Sequence, residues 1–315
     1  MRPRSLTLPS RVYPLAGRKI ERFRCLLSCN RPLRNSNLPA ATAHKKIATY
    51  RQQKYGEADR LRFVIQRLGG NLLSILLLIW PATAGVAGVR HFGFVYEAVT
   101  SAPGSLDVEN WVTWSHTSNP QRVDEVAFRH EFEFGITENF QASLYVADWF
   151  YAAEPQHSSF TYSDSALELI YNLTNPVTDP VGLAMYEEIR VGDRVFELES
   201  KLIAQKDLGP LILAYNLTLE AVWEGTRLQD RQGELQQALG ASYEISQRVS
   251  VGVEMLHEFI FPEWRDNERI RNFFIGPNVC FRHQNWFVTV TALAQATNTP
   301  DEADFQLRTI FGIGF

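Results

Sequence analysis

His116 and Ser118 stand two residues apart in Trp114-Ser-His-Thr-Ser-Asn119. On an extended strand, residues i and i+2 share a face. The imidazole could then take the hydroxyl proton and make Ser118 a nucleophile for acyl transfer. A second chemistry is electrostatic. Arg129, Glu131 and Glu133, then Glu197, Glu199 and Lys201, and singly Glu188, Glu220, Glu254 and Arg308, occupy the polar side of alternating runs. Enclosed together, such groups pair and rigidify their surroundings, or line an acid-rich path that attracts cations. No Gly-x-Ser-x-Gly elbow, HExxH pair or phosphate-binding glycine loop occurs, so nucleotide chemistry and zinc proteolysis lack support. Of the three cysteines, Cys25 and Cys29 fall in the N-terminal tail and leave Cys280 alone. No metal and no cofactor is expected.

The elements that position these residues alternate with period two. Val126, Phe128, Phe132, Phe134 and Ile136 share one parity, interrupted by His130, while Arg129, Glu131, Glu133 and Gly135 take the other. From Leu211 to Trp223 the odd positions are apolar, against Asn216, Thr218 and Glu220, with Ile212 and Val222 breaking the polar parity. A helix needs period 3.6, which none of these runs shows. Twelve such segments are expected, at 106–116, 123–136, 139–151, 160–173, 180–191, 194–206, 210–224, 233–245, 248–261, 270–282, 284–296 and 303–315. Their length suits tilted membrane strands. The expected fold is all-β, an antiparallel up-and-down transmembrane β-barrel over 106–315. Its apolar parity meets lipid and its charges are enclosed, because an Arg or Lys on the lipid face costs about 2–4 kcal/mol at mid-membrane. By the same parity Glu109, Glu168, Arg190, Glu258 and Arg282 join the inner set. Connections alternate between short turns and longer polar stretches at 117–122, 152–159, 225–232, 262–269 and 297–302, with Gly192-Asp193 a tight exception. Trp111, Trp114, Trp149, Tyr151, Trp223, Trp264 and Trp286 fit interfacial girdles.

The ends of the chain carry separate signals. Of 31 Lys and Arg, 16 lie in residues 1–67 with only three acids, leaving 15 basic against 32 acidic residues beyond. After Arg60, Arg62 and Arg67 comes the apolar run 71–80, then Pro81-Ala-Thr-Ala-Gly-Val-Ala87. That is the pattern of an export signal over 61–87, cut after Ala84 or Ala87. Residues 1–60 read as a non-native or disordered basic extension, translated from sequence upstream of a start near Leu61 or Val64, or else as part of an extended signal. Residues 88–105 read as an N-terminal extension, because a thirteenth strand would put the termini on opposite sides; it lies on the periplasmic side or folds into the lumen. At the C-terminus Phe311, Ile313 and Phe315 alternate up to the last residue. That ending resembles the assembly signal read by the outer-membrane barrel-insertion machinery.

Several stretches resemble an uncharacterised family of bacterial outer-membrane β-barrels built on a domain of unknown function. They are Gly93-Phe-Val-Tyr96, Val108-Glu-Asn-Trp-Val-Thr113, Phe132-Glu-Phe-Gly-Ile-Thr137, Asp179-Pro-Val-Gly-Leu-Ala-Met-Tyr-Glu187, Lys201-Leu-Ile-Ala-Gln-Lys206, Asn216-Leu-Thr-Leu-Glu220, Gly276-Pro-Asn278 and Trp286-Phe-Val-Thr-Val-Thr291. The resemblance spans about 90–315 and implies the barrel fold and a bacterial outer-membrane location, reached through the export signal read above, but no activity; the first 85 residues fall outside it. The His116–Asn119 stretch separately resembles the catalytic segment of outer-membrane phospholipase A and the lipid A deacylases. Here Pro120 stands where the phospholipase pattern has glycine, and no acidic or amide partner is assignable. The leading expectation is a narrow channel or transporter-like barrel for small solutes with an acid-rich lumen. The rivals are a lipid hydrolase using His116 and Ser118, and a structural barrel with a blocked lumen. Expected partners are outer-membrane lipids, the insertion machinery and small solutes or cations; nucleic acid is not among them.

Overall fold

The computed structural model describes Gly88 and residues 90–315; the expected basic extension and export signal lie outside the described residues. Fourteen strands follow in order: β1 (Leu106–Thr117), β2 (Val123–Thr137), β3 (Phe140–Tyr145), β4 (Trp149–Glu154), β5 (His157–Tyr162), β6 (Asp164–Thr174), β7 (Gly182–Gly192), β8 (Val195–Leu208), β9 (Leu211–Glu224), β10 (Asp230–Ser246), β11 (Val249–Pro262), β12 (Ile270–His283), β13 (Trp286–Gln295) and β14 (Phe305–Gly314). Each pairs antiparallel with its neighbours, and β1 pairs with both β2 and β14, which closes the sheet. Closure removes the edges of the wall, the condition for a sheet to sit in lipid; only β5, which pairs with β4 alone, keeps an open flank.

The wall has twelve staves, because β3 with β4 and β5 with β6 each form one interrupted stave. β3 pairs with Glu131–Thr137 of β2, and β4 with Asp124–Phe128 of the same strand. The third and fourth staves were expected to be continuous. Instead the facing parity slips by one residue at each break. Gln141, Ser143 and Tyr145 are buried before it and Ala152 after it, and across Ser163 the exposed even positions Phe160 and Tyr162 give way to buried Asp164, Ala166 and Glu168. The slip turns Asp148 and Asp164 inward, where they meet Arg129 and Arg190. An irregular residue re-aims side chains in this way without ending the strand.

The outer face is apolar: Leu202, Leu219, Leu239 and Val279 are exposed. Two residues depart from what their type suggests. Trp111, expected in a girdle, is 3% exposed and faces the lumen, because its stave-mates Asp107 and Glu109 are also buried. Glu187 faces outward midway along β7, tied to the Ser200 hydroxyl at 2.6 Å. The other girdle aromatics lie outside. Trp223 and Trp264 meet edge to face at 5.6 Å near the long-loop end, and Trp286 packs on Phe281 and Phe311 at the end bearing the termini. The stretch expected as a loop at 152–159 is a hairpin, β4 and β5 joined by Pro155-Gln156.

Candidate functional site: the lumen and its strap

Residues 88–105 do not hang below the barrel. They form a strap inside it, with both ends near the start of β1. Residues 91–98 are all buried. Apart from Gly104 and Ser105, which bond the backbone of Gly135 on β2, the strap does not join the sheet; its backbone bonds go to side chains around the wall. Asn278 on β12 donates to His91 O at 3.0 Å. Glu254 on β11 accepts three successive backbone N–H groups, from Gly93, Phe94 and Val95, at 2.8, 2.6 and 3.1 Å. Asn216 on β9 both accepts from Tyr96 N and donates to Tyr96 O. Gln205 on β8 takes Ala98 N at 2.7 Å, and Gln141 on β3 takes Ser101 N at 2.9 Å. Buried backbone groups must be paired, so these five polar side chains do for the strap what a neighbouring strand does elsewhere.

Glu254 is 0% exposed and has no ion-pair partner in the described contacts. It accepts two further bonds, from Thr291 Oγ1 at 2.6 Å and Asn278 Nδ2 at 2.9 Å. Five donors, three of them consecutive amides forming a nest, hold its charge without a cation. Apolar packing completes the seal. Phe92, Phe94 and Val95 pack with Ile212, Leu256, Phe274 and Leu293, and Tyr96 and Ala98 with Trp111, Ile170, Ile203 and Ile310. Ile212 and Ile310, apolar residues on the polar parity, are where the strap rests. Gly240 permits a close approach, since a Cβ there would lie 2.6 Å from the Phe92 ring.

Around the strap and along β7 and β8, charges are matched. Arg90, brought in by the strap, bonds Glu109 at 2.7 Å and reaches Glu131 and Glu133 at 3.5 and 3.4 Å. It also stacks on Tyr96 and Trp111. Arg129 bridges Asp148 (2.8 Å) and Glu188 (3.2 Å), and Arg190 bridges Glu188 (2.6 Å), Glu197 (3.1 Å) and Asp164 (3.3 Å). Lys201 pairs with Glu199 at 2.8 Å and sits over the Tyr96 and Tyr186 rings. Arg308 donates to Gly93 O and lies 3.9 Å over Phe94. Arg129, Glu131, Glu133, Glu188, Glu197, Glu199 and Lys201 meet in this network, together with Arg90, Tyr96, Tyr145 and Tyr186, which sequence reasoning passed over.

Strand register adds a feature that no single strand reveals. Glu168, Glu188, Glu199, Glu220 and Glu234 are direct cross-strand partners on five adjacent strands, β6 to β10. Like charges directly opposite destabilise a sheet. Glu168 is relieved by hydroxyls of Tyr145 and Ser143, Glu188 by two arginines and Glu199 by Lys201. Glu220, Glu234 and Glu258 form no close salt bridge among the described residues: Arg190 and Arg308 act on Glu220 and Glu258 only from a distance, and the direct contacts are the amide of Gln236 to Glu234 and Glu258 and that of Asn272 to Glu258. These three are half-buried, toward the long-loop end. Above them, in the loop between β13 and β14, burial and the neighbouring Glu258 push the Glu302 carboxyl up to about 8. Glu188, Glu197 and Glu199 can each bring an oxygen within 4.8 Å of the others, but Arg190 and Lys201 already supply the positive charge there.

The His116–Ser118 pair lies outside this network, at the long-loop rim. His116 Nδ1 bonds Asp124 Oδ1 at 2.8 Å, an acidic partner that sequence could not assign because it comes from cross-strand register. Ser118 Oγ, however, donates to Asp304 at 2.5 Å, and Asp304 also takes Ser118 N. The hydroxyl is engaged by a carboxylate on the opposite flank rather than by the imidazole. At the C-terminus Phe311 and Phe315 are exposed on the outer wall and Ile313 is half-buried there.

The fold has known counterparts. The COG4313 outer membrane channel from Pseudomonas putida F1 matches over 70% of this chain and 98% of its own, at 11% identity and a TM-score of 0.51. The NanC porin matches over 66% and 98%, at 8% identity and a TM-score of 0.44, and LpxR from Salmonella typhimurium over 66% and 99%, at 8% and 0.40. At such identities the likeness is one of fold, that of outer-membrane barrels. No curated protein matches the sequence. A model of a family of unknown function, DUF6662, matches residues 84–306.

Proposed function

The chain belongs to the DUF6662 family of outer-membrane β-barrels, and on that premise we propose that it is a gated channel for small cationic solutes, closed at rest by its own strap. The observation carrying this reading is how the strap is held. From Gly93 to Ser101 its backbone bonds to wall side chains and not to a strand, and only Gly104 and Ser105 bond the backbone of β2, at Gly135, so the middle of the strap can leave the lumen without breaking the sheet. The unpaired acids Glu220, Glu234 and Glu258 lie on the long-loop side of the seal. By the parity of the turns that side is the cell exterior, where an acid-lined recess in a low-dielectric wall concentrates cations. The lipid-hydrolase alternative draws less support, because Ser118 Oγ is committed to Asp304.

The test is planar-bilayer conductance of the refolded barrel with and without residues 91–98. The intact protein should stay near background, and the deletion should give discrete cation-selective steps. A deletion variant that is folded by heat-modifiability yet electrically silent would leave a structural barrel with a blocked lumen. Equal conductance from both proteins would remove the strap as gate.

A further inference from the structure

Where the strap enters the barrel, Gly88 N lies 3.3 Å from Asp107 Oδ2, which also accepts the Ser101 hydroxyl at 2.7 Å. Asp107 is 2% exposed, and its second oxygen, Oδ1, has no hydrogen-bond partner. The Glu133 carboxylate, 6% exposed, borders the same recess: a Cβ on Gly88 would be 3.4 Å from Asp107 Oδ2 and 3.9 Å from Glu133 Oε1. Asp107, Glu109, Glu131 and Glu133 thus surround one guanidinium, Arg90, whose bonds go to the last three. Glu131 also keeps an unpartnered oxygen. A buried carboxylate oxygen without a donor is costly, and four carboxyl groups in this recess share one guanidinium. A peptide N–H at Gly88 brings one donor and no charge. An α-ammonium at the same nitrogen brings three donors and a full positive charge.

The sequence offers two small-residue signals for removal of the exported leader, Ala82-Thr-Ala84 and Gly85-Val-Ala87, and does not choose between them. We infer that the Ala87–Gly88 bond is the one hydrolysed, and that the new α-ammonium of Gly88 docks between Asp107 and Glu133. Water adds across the peptide bond, Ala87 leaves as a carboxylate and Gly88 keeps the amine, which takes up a proton at neutral pH. Processing then finishes the barrel: it supplies the charge that the entrance recess lacks and pins the free end of the strap. A terminus at Gly85 would place its charge three residues away and leave Asp107 with the single amide donor.

N-terminal sequencing and intact mass of protein extracted from outer membranes, after expression of the whole chain, decide the cleavage site. A start at Gly88 is expected; a start at Gly85, or a retained leader, overturns the inference. Docking is read separately on the same wild-type material by amine acylation at pH 8. The α-amine should label at least tenfold more slowly in the folded barrel than after denaturation, and Asp107→Asn should restore much of the rate. Equal labelling of folded and denatured wild type would overturn the docking even with Gly88 at the terminus.

Discussion

The two halves of this lumen follow opposite electrostatic rules. Toward the termini, carboxylates are buried and answered: Glu109 has Arg90, and Glu254 has five hydrogen-bond donors. Toward the long loops, Glu220, Glu234 and Glu258 are half-buried and form no close salt bridge among the described residues. The first arrangement resembles a protein core, in which polar groups are satisfied and apolar clusters fill the gaps. The second resembles a binding surface, where unmatched charge is kept because water and mobile cations can reach it. The difference teaches that acid content alone does not mark a conduction path; the state of compensation does.

Removing the pivot of the sealed half should have the largest effect. Glu254→Ala strands three amides, Asn278 and Thr291 without their acceptor, a loss of about 3–5 kcal/mol by analogy with breaking other buried charge contacts. Limited proteolysis should then cut within 91–98, and conductance should rise above background; a strap that stays protected would mean the apolar clusters alone hold it. Next comes Gly240→Val, which drives a side chain into Phe92. Overpacking of this kind costs about 1–3 kcal/mol, and the temperature at which the folded gel band disappears should fall. In the open half the sign reverses. Glu220→Gln relieves repulsion from Glu199 and Glu234, so the barrel should be unchanged or up to about 1 kcal/mol more stable. In the strap-deleted background the same change should lower cation selectivity. Destabilisation by Glu220→Gln would erase the contrast between the halves.

A smaller effect concerns pH. The Glu302 carboxyl is raised from an ordinary 4.5 to about 8, so the fold favours its protonated form. The stability this gives the loop between β13 and β14 is fully present below pH 4.5 and is lost as pH rises through about 8. Hydrogen exchange in residues 296–304, corrected for intrinsic rates, should accelerate between pH 6 and 9, and Glu302→Gln should flatten that rise. The smallest effect belongs to Ser118→Ala. With its hydroxyl on Asp304, the variant and the wild type should show the same phospholipase background, and a selective loss of activity in the variant would restore the hydrolase reading.

Much of the wall was legible because each stave carries its own two-sided code. Phe128 and Phe132 against Arg129 and Glu131 need no partner strand to declare which face is which. The code fails wherever a single residue slips the phase. Asp148 and Asp164 turned inward at breaks that the flanking alternation hides. Trp111 looked like a girdle residue because residue type suggested an interface, whereas its parity with Glu109 placed it inside. The strap left a faint trace in Ile212 and Ile310, apolar residues where the lumen should be polar, which became intelligible only once something apolar was seen to lie against them.

The sequence by itself determined the staves, their facing and the closure into a barrel, since all three depend on local alternation and strand count. Tertiary structure alone decided that the lumen is sealed, that five glutamates stand side by side across β6 to β10, and that His116 and Ser118 look to different carboxylates. Each of those depends on register between strands far apart in the chain or on the path of a segment with no repeating pattern. Hydrogen bonds over separations of 107 to 161 residues, such as Ala98 to Gln205 and Gly93 to Glu254, are set by the closed geometry of the wall and carry no local signature.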